Sequence, residues 1–290
     1  MITRRMKPLL GTYVEIAINA ENEEQEQLLS TAFEAIEKIH RLLSFQARES
    51  ELSQLNLAAG IALTMDPLSI RCLRLAFAMM KASRQYFNCT IAGSLVRRGV
   101  LPDHGFGNYL EAGNVDDIVI SGKRVHLARP VLLVLDGIAK GYAVDHAIKI
   151  LMAAGIRSGW VNAGGDIRAF GELRVPILLR QGGGAPVYAG DLQNAAVATS
   201  SARSELDARY QGLLVNTEGR PIDEGQWTVV ARSAWRADAL TKVAATAPRD
   251  EAEQLVARLG GTLVSKTSGI QAANGESAQI ENLNQSQNGC

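Results

Sequence analysis

Lys140 lies between Gly137 and Gly141 at the head of an apolar-periodic segment, an arrangement that suits an anion. The first turn of a helix leaves backbone N–H groups without intrahelical partners and carries the positive end of the helix dipole. A lysine there reinforces an existing preference for phosphate. Downstream, Asn162-Ala163-Gly164-Gly165-Asp166 turns the chain sharply and ends on a carboxylate. The glycine pair suits positive φ or close approach of backbone to a ligand. Neither stretch matches G-x-x-x-x-G-K-[ST] or G-x-G-x-x-G, so a Walker A loop and the dinucleotide fingerprint are excluded. The plain alternative is a helix–strand unit with ordinary turn glycines. Lys140 is then a solvated helix lysine, and Asp166 a turn carboxylate satisfying backbone N–H groups.

Elements must hold these residues in place. Between the two turns, Ile138, Tyr142, Val144, Ile148, Leu151 and Ala154 recur near helical spacing, and Gly155 marks the stop. Trp160-Val161 is a brief strand, and an apolar strand over 131–135 leads into the motif. Upstream, alternation over Thr12–Asn19 predicts a strand. Amphipathic helices are predicted over Glu23–Leu43 and over 66–86. Ser50 can cap a short helix between them, with Ser53 and Asn56 on its exposed side. Residues 93–113 read as a surface loop, and 118–120 with 124–127 as a hairpin about Ser121-Gly122-Lys123. Strands follow over 175–180, 195–200 and 227–231, with a flexible turn at 181–184 after the first. A helix begins at Ala237, and a last one covers 251–259. Hairpins mix with long helices instead of alternating strictly with them. The expected fold class is therefore α+β, antiparallel sheets backed by helices, and not a doubly wound parallel sheet.

At 290 residues, 47% hydrophobic and 21% charged, the chain can bury a substantial core. Thirty basic and thirty acidic residues cancel, which removes any bulk attraction to nucleic acid or an anionic membrane. Cys72, Cys89 and Cys290 have neither metal-ligand spacing nor a disulfide framework. Pro8, Gly11, Thr12 and Glu15 interrupt any apolar stretch near the N-terminus. No signal peptide, lipobox or membrane span is read, and a cytoplasmic location is expected. Residues 265–290 turn to Ser, Asn, Gln, Gly and Ala, the composition of a disordered tail, so the folded unit is expected over 1–264.

GIAKGYAVD at 137–145, followed by VNAGGDIRAFG at 161–171, resembles the signature of the ApbE family, the FAD:protein FMN transferases. Weaker resemblances run along most of the chain. Leu10-Gly11-Thr12 is similar to the family's Met-Gly-Thr, and LLSFQARESELSQLN at 42–56 to its SELSxLN loop. FNCTI at 87–91 is similar to F-D-P-T-V, AAVATS at 195–200 to AVATSG, and ADALTK at 237–242 to ADALxT. The resemblance implies a duplicated T-fold-like architecture, although no internal repeat is visible. It also implies FAD contacts from Leu10, Gly11, Thr12, Gln46, Tyr86, Phe87, Asn88, Asp136, Lys140 and Thr228. Lys140 and Asp238 would be the catalytic pair. Mg²⁺ would be held by Asp238, the Thr241 hydroxyl and the backbone carbonyl near Gly137.

The sequence departs from the pattern at several of these places. Gln46 stands where relatives commonly carry an aromatic that stacks on the flavin, and the nearby Phe45 is either that platform or simply core. Asn88 replaces Asp, Cys89 replaces Pro, and Val134 takes an Asp position with Asp136 two residues on. LLVNTEGRP at 213–221 occupies the place of H-I-I-D-P-x-T-G-x-P, with Gly212 and Val215 aligned on its His and Asp. None of His40, His104, His126 and His146 falls at the family histidine; His104 is a substitute by location, and His146 is expected to face solvent. The implied reaction cleaves the FAD pyrophosphate and passes FMN to a threonine hydroxyl on a flavoprotein partner. A flavin-holding paralogue without transfer, and an interaction protein that keeps only the fold, are the alternatives. Lys242 stands where relatives offer a threonine to Mg²⁺. Positions three and four after Asp238 share its helix face, so Lys242 can pair with Asp238 and reach the pyrophosphate, weakening the need for metal. Otherwise it points outward and Thr241 completes an ordinary site.

Overall fold

A computed structural model describes residues 2–179, 185–202 and 214–264. The expected turn at 181–184, Gly212, Leu213 and the tail from 265 lie outside the described residues. The chain opens with a hairpin, β1 (Ile2–Leu9) and β2 (Thr12–Asn19), in which Leu9 pairs with Thr12. Leu10 and Gly11 form its two-residue turn with φ of 57° and 69°, the positive pair that a tightly twisted hairpin demands. Helix α1 (Glu23–Leu43) follows, its N-terminus capped by the Asn22 side chain accepting from the Gln25 N–H at 2.9 Å. Then come α2 (Glu51–Leu57), β3 (Leu63–Thr64), α3 (Pro67–Ala82), α4 (Ala92–Arg97), β4 (Ile118–Ser121) and β5 (Arg124–Leu127). The second half holds α5 (Ala139–Ala153), β6 (Gly159–Ala163), β7 (Asp166–Phe170), β8 (Val175–Leu179), β9 (Val187–Leu192), β10 (Ala196–Ala202), β11 (Gly225–Ala231), α6 (Ala234–Thr246), α7 (Arg249–Arg258) and β12 (Gly261–Val264).

The main sheet runs β1-β2-β6-β7-β10-β11-β12, antiparallel at every pairing. This is the expected class, antiparallel sheets backed by helices. Successive strand residues alternate between two faces. Ala196, Ala198, Val229 and Ala231 join the large core under α1, α5 and α6. Val197 and Val230 point the other way, into a small core closed by the β8–β9 hairpin. Both faces are therefore covered, one by helices and the other by strands.

Several local expectations are corrected. The helix expected over 66–86 stops at Ala82. Arg84 and Gln85 turn left-handed (φ 54° and 68°), and the Gln85 N–H closes on the Met80 carbonyl at 2.7 Å. Residues 93–113 are not all loop, since α4 occupies their start. The segment 131–135 makes only one parallel bridge, Ile91 with Leu132, and no strand ladder. Instead the Asn56 amide donates to the Leu133 carbonyl at 2.9 Å and accepts from the Leu133 N–H at 2.8 Å. One side chain thus satisfies what a neighbouring strand would. Asn56 and Ser53, expected on an exposed face, are both buried; the Ser53 N–H donates to the capping Ser50 hydroxyl at 3.1 Å and its own hydroxyl to the Phe45 carbonyl at 3.4 Å.

Helices α5 and α6 cross at Gly141, where a Cβ would run into the Ala234 carbonyl. Each helix also serves the other's N-terminus. Asp145, on α5, accepts from the Ala234 and Trp235 N–H groups at 3.0 and 2.9 Å, a cap that Ser233 does not provide. Arg168 on β7 pairs with the same carboxylate. Replacing Gly141 by Ala is expected to lower stability by about 1–3 kcal/mol, the usual cost of forcing atoms into a packed contact. Thermal denaturation checks this; an unchanged melting temperature would mean that the two helices have room to separate.

Candidate functional site

Because the sheet is antiparallel, β2 and β7 begin at the same end at which β6 and β10 finish and β11 begins. That end carries the turn at Leu10-Gly11, the Gly164-Gly165 turn, and Ser200. Gly164 (φ 63°) lies so close to the first hairpin that an added Cβ would sit 2.6 Å from Thr12 Oγ1. Glycine is needed there for both φ and space. The N-terminus of α5 and the inner face of α6 approach the same end. Lys140 on α5 reaches Asp166 at the start of β7 (2.9 Å), and Thr241 on α6 meets Ser200 at 2.7 Å.

A cavity of about 340 Å³ opens here, lined by Gln46, Phe87, Asp136, Gly137, Ser200 and Lys242 among others. Its volume falls at the low end of the about 300–1,000 Å³ typical of small-molecule sites. Ile91, Leu95, Val134 and Val215 contribute apolar lining, and Asp136 and Lys242 contribute charge. A hydrophobic wall with a few convergent polar groups is the usual composition of such a site.

Three carboxylates and two ammonium groups cluster beside the cavity; Asp136 and Lys242 line it, whereas Lys140, Asp166 and Asp238 do not. Asp238 is fully buried; its Oδ1 accepts from Lys242 Nζ and its Oδ2 from the Gly141 N–H at 3.4 Å. It is the fifth residue of α6, which starts at Ala234 and not at Ala237. Asp166 is almost as deeply buried and ion-paired to Lys140. Burial pushes the Asp166 carboxyl up to about 6, with Asp238 adding to the rise and the lysines opposing it. Burial works against the charge on Lys140, but Asp166, Asp238 and Asp136 outweigh it and hold the ammonium above the usual lysine range. Lys140 is thus not a solvated helix lysine. Asp136 is exposed and lines the cavity, and desolvation by the surrounding protein raises its carboxyl, with Asp238 adding and the two lysines opposing.

The other expected contacts divide. Gln46, Phe87, Asn88, Asp136 and Gly137 line the cavity. Tyr86 lines a neighbouring pocket of about 330 Å³ with Arg84, Gln85 and Gly113, and Asn88 borders both. Leu10, Gly11 and Thr12 sit at the same end of the sheet without lining the cavity, and Thr228 turns its hydroxyl to Thr199 at 2.9 Å. Phe45 is core, stacked on His104 and packed against Phe106. His104 places Nε2 2.8 Å from the Phe45 carbonyl and does not line the cavity. His146 is half-buried over the Tyr142 ring rather than facing solvent, and burial lowers its pKa.

The residues expected to hold Mg²⁺ do not fit a hard cation as they are arranged. Mg²⁺ demands near-octahedral oxygens at about 2.0–2.1 Å. Here an ammonium already sits on the Asp238 carboxylate. The Thr241 hydroxyl donates to the Asp238 carbonyl at 2.7 Å and meets Ser200 Oγ at 2.7 Å, which uses its hydrogen and one of its two lone pairs. Gly137 supplies room: a Cβ there would lie 3.3 Å from Lys242 Cε and 3.3 Å from Phe87 Cε2. Among the described residues no group of three or more His, Cys, Asp or Glu could hold a metal.

Asp145, Arg168 and Ser200 were not singled out from the sequence. Asp145 ends the GIAKGYAVD stretch, and a carboxylate one turn beyond a phosphate-type lysine was the available signal.

Among solved structures, the ApbE protein of Thermotoga maritima matches with a TM-score of 0.80 at 21% identity, covering 97% of each chain. The apo flavinyl transferase ApbE of Pseudomonas stutzeri matches at 0.75 and 21% identity, over 91% of this chain and 94% of that one. The flavin transferase ApbE of Vibrio cholerae matches at 0.72 and 19% identity, over 91% and 96%. A search of curated protein sequences finds no match. Among the described residues no helix is long and apolar enough to cross a membrane. The ApbE family model matches residues 10–264, nearly the whole described fold including every element of the cavity. The chain belongs to the ApbE family.

Proposed function

We propose that this protein binds FAD in the cavity between α5, α6 and the sheet end, and transfers FMN from it to a threonine hydroxyl of a flavoprotein partner. The observation that carries the reading is Lys242, held on Asp238 in a cavity otherwise lined largely by apolar residues, with the Lys140–Asp166 pair nearby at the same end of the sheet. Apolar lining suits a flavin ring system, and an ammonium group in the same cavity suits a pyrophosphate. Family membership supports flavin transfer as the activity class.

In this reaction the threonine oxygen attacks the phosphorus on the FMN side. A P–O bond forms to threonine, the bond to the bridging oxygen breaks, and AMP leaves with that oxygen. Lys140 and Lys242 orient the phosphates and offset the charge that develops on them. The hydroxyl proton needs an acceptor, and Asp136 is the carboxylate that opens directly into the cavity. Apolar residues around Val134 and Val215 exclude water from the competing hydrolysis.

A second reading, a flavin-holding protein with little transfer, is favoured by one observation. Val215 lines the cavity with an apolar side chain where relatives carry the Asp of their H-I-I-D stretch. Co-expression with a flavoprotein acceptor separates the two readings, because only transfer leaves covalent flavin fluorescence on the acceptor after denaturing electrophoresis. Replacing Lys140 by Met is expected to weaken FAD binding about tenfold, the worth of one charge-assisted hydrogen bond. Riboflavin, which lacks phosphate, should bind as before. Equal loss for both ligands would mean that Lys140 supports the fold through Asp166 and does not read phosphate.

A further inference from the structure

We propose that the Lys242 ammonium takes the place of a divalent cation in this protein, so that the site holds the FAD pyrophosphate with two lysines and no metal ion. The inference rests on the flavin reading and names how that same site handles phosphate charge.

Lys242 follows Asp238 by one helical turn, the spacing at which side chains meet on one face. Its Nζ bonds Asp238 Oδ1, while Oδ2 accepts from the Gly141 N–H, so both carboxylate oxygens already have a donor. The stem is held as well as the head. Its Cε and Cγ lie along Gly137, 3.3 and 3.5 Å from where a Cβ would be, and the side chain is only 20% exposed. This is not a surface lysine that swings aside when a cation arrives. A metal ion approaching Asp238 would have to displace a buried-edge ammonium and then share the site with Lys140. Beside the carbonyl near Gly137, the other oxygen of the expected set, on Thr241, is tied to Ser200 and to the Asp238 carbonyl.

The same ammonium is suited to phosphate. It carries three N–H donors, of which Asp238 takes one. Lys242 lines the cavity beside Asp136 and Gly137, so its remaining donors have access to a bound anion. Lys140 does not line the cavity, but it stands at the N-terminus of α5 one residue before Gly141, with Asp166 as its one carboxylate partner. The two lysines come from different helices that cross at Gly141, which fixes their separation through the backbone contact.

Equilibrium binding of FAD and of riboflavin, read by quenching of flavin fluorescence, tests this in EDTA and across a Mg²⁺ titration. The wild-type protein is expected to bind FAD equally well in both. Lys242→Thr should bind FAD about tenfold more weakly in EDTA, the loss of one charged hydrogen bond. It should regain affinity on addition of Mg²⁺, because Asp238 is freed and a threonine oxygen now stands four residues after it. Riboflavin binding should change in neither protein. Lys242→Arg keeps the charge and should remain independent of Mg²⁺; with the wild-type titration it decides the matter if the threonine variant fails to fold. Wild-type FAD binding that rises steeply with Mg²⁺, or Lys242→Thr binding FAD in EDTA as tightly as wild type, overturns the inference while leaving the flavin reading intact. Absence of flavin binding under every condition removes both.

Discussion

The crossing of α5 and α6 at Gly141 is the contact on which the site depends. No side chain fits between that residue and the Ala234 carbonyl, so the backbones meet directly. The two helices then exchange carboxylates. Asp145 leaves α5 to accept from the first N–H groups of α6, and Asp238 leaves α6 to accept from the Gly141 N–H near the start of α5. Each helix end has donors without intrahelical partners, and each is answered by the other helix. A shift along the crossing would break both sets together, which makes the arrangement a fixed point for everything attached to it. Lys140 and Lys242 inherit their places from it.

The charged groups at this point do not stabilise the fold in themselves. Desolvating an ion pair costs roughly what the attraction returns, so a buried pair is weak evidence for stability, whereas breaking one costs about 3–5 kcal/mol. Stability comes instead from the apolar residues of β10 and β11, which alternate between the helix-covered face and the β8–β9 face. That core can carry the polar cluster because the cluster is confined to one end of the sheet. Within it Asp238 and Asp166 are each matched to one lysine, and Asp136 alone opens into the cavity. The arrangement keeps each ammonium in place while leaving donors for a ligand.

Much of this was legible in the sequence, and the failures have physical causes. The glycine-flanked Lys140 and the signature through Gly171 pointed to the site because turn glycines and a helix start are local features. The antiparallel class followed from the order of elements. What could not be read was set by contacts distant in sequence. Asp166 looked like a turn carboxylate because nothing in the turn shows that its partner is Lys140. The segment 131–135 has strand composition, but Asn56, from a helix far upstream, takes the Leu133 backbone groups and leaves no need for a strand. Helix α6 starts at Ala234 because Asp145 caps it from another helix. Helical spacing placed both Thr241 and Lys242 near Asp238 and could not choose between them. Packing chooses: the threonine hydroxyl folds back on its own helix carbonyl, as such residues commonly do, and the lysine takes the carboxylate.

Asn88 shows that a departure from the family pattern can be a different solution to a local problem. Its carbonyl oxygen accepts from the Thr90 N–H and hydroxyl at 2.8 and 2.7 Å, as an aspartate in F-D-P-T-V could. Its amide nitrogen donates to the Gly113 carbonyl at 3.1 Å and the Thr217 carbonyl at 3.3 Å, which an ionised aspartate could not do. A carboxylate at this position would face two carbonyl oxygens with no hydrogen between them. The amide therefore ties three separate loops together at the border of the cavity and its neighbouring pocket. Removing the charge at 88 and adding one at 242 change the site in the same direction. The first takes a negative charge from the wall of the cavity, and the second brings a positive charge to Asp238, so each makes the cavity less negative toward an incoming pyrophosphate. Under the proposed flavin reading, a site changed in this sense needs less from a dissolved cation, because part of the charge a metal would bring is carried by the chain.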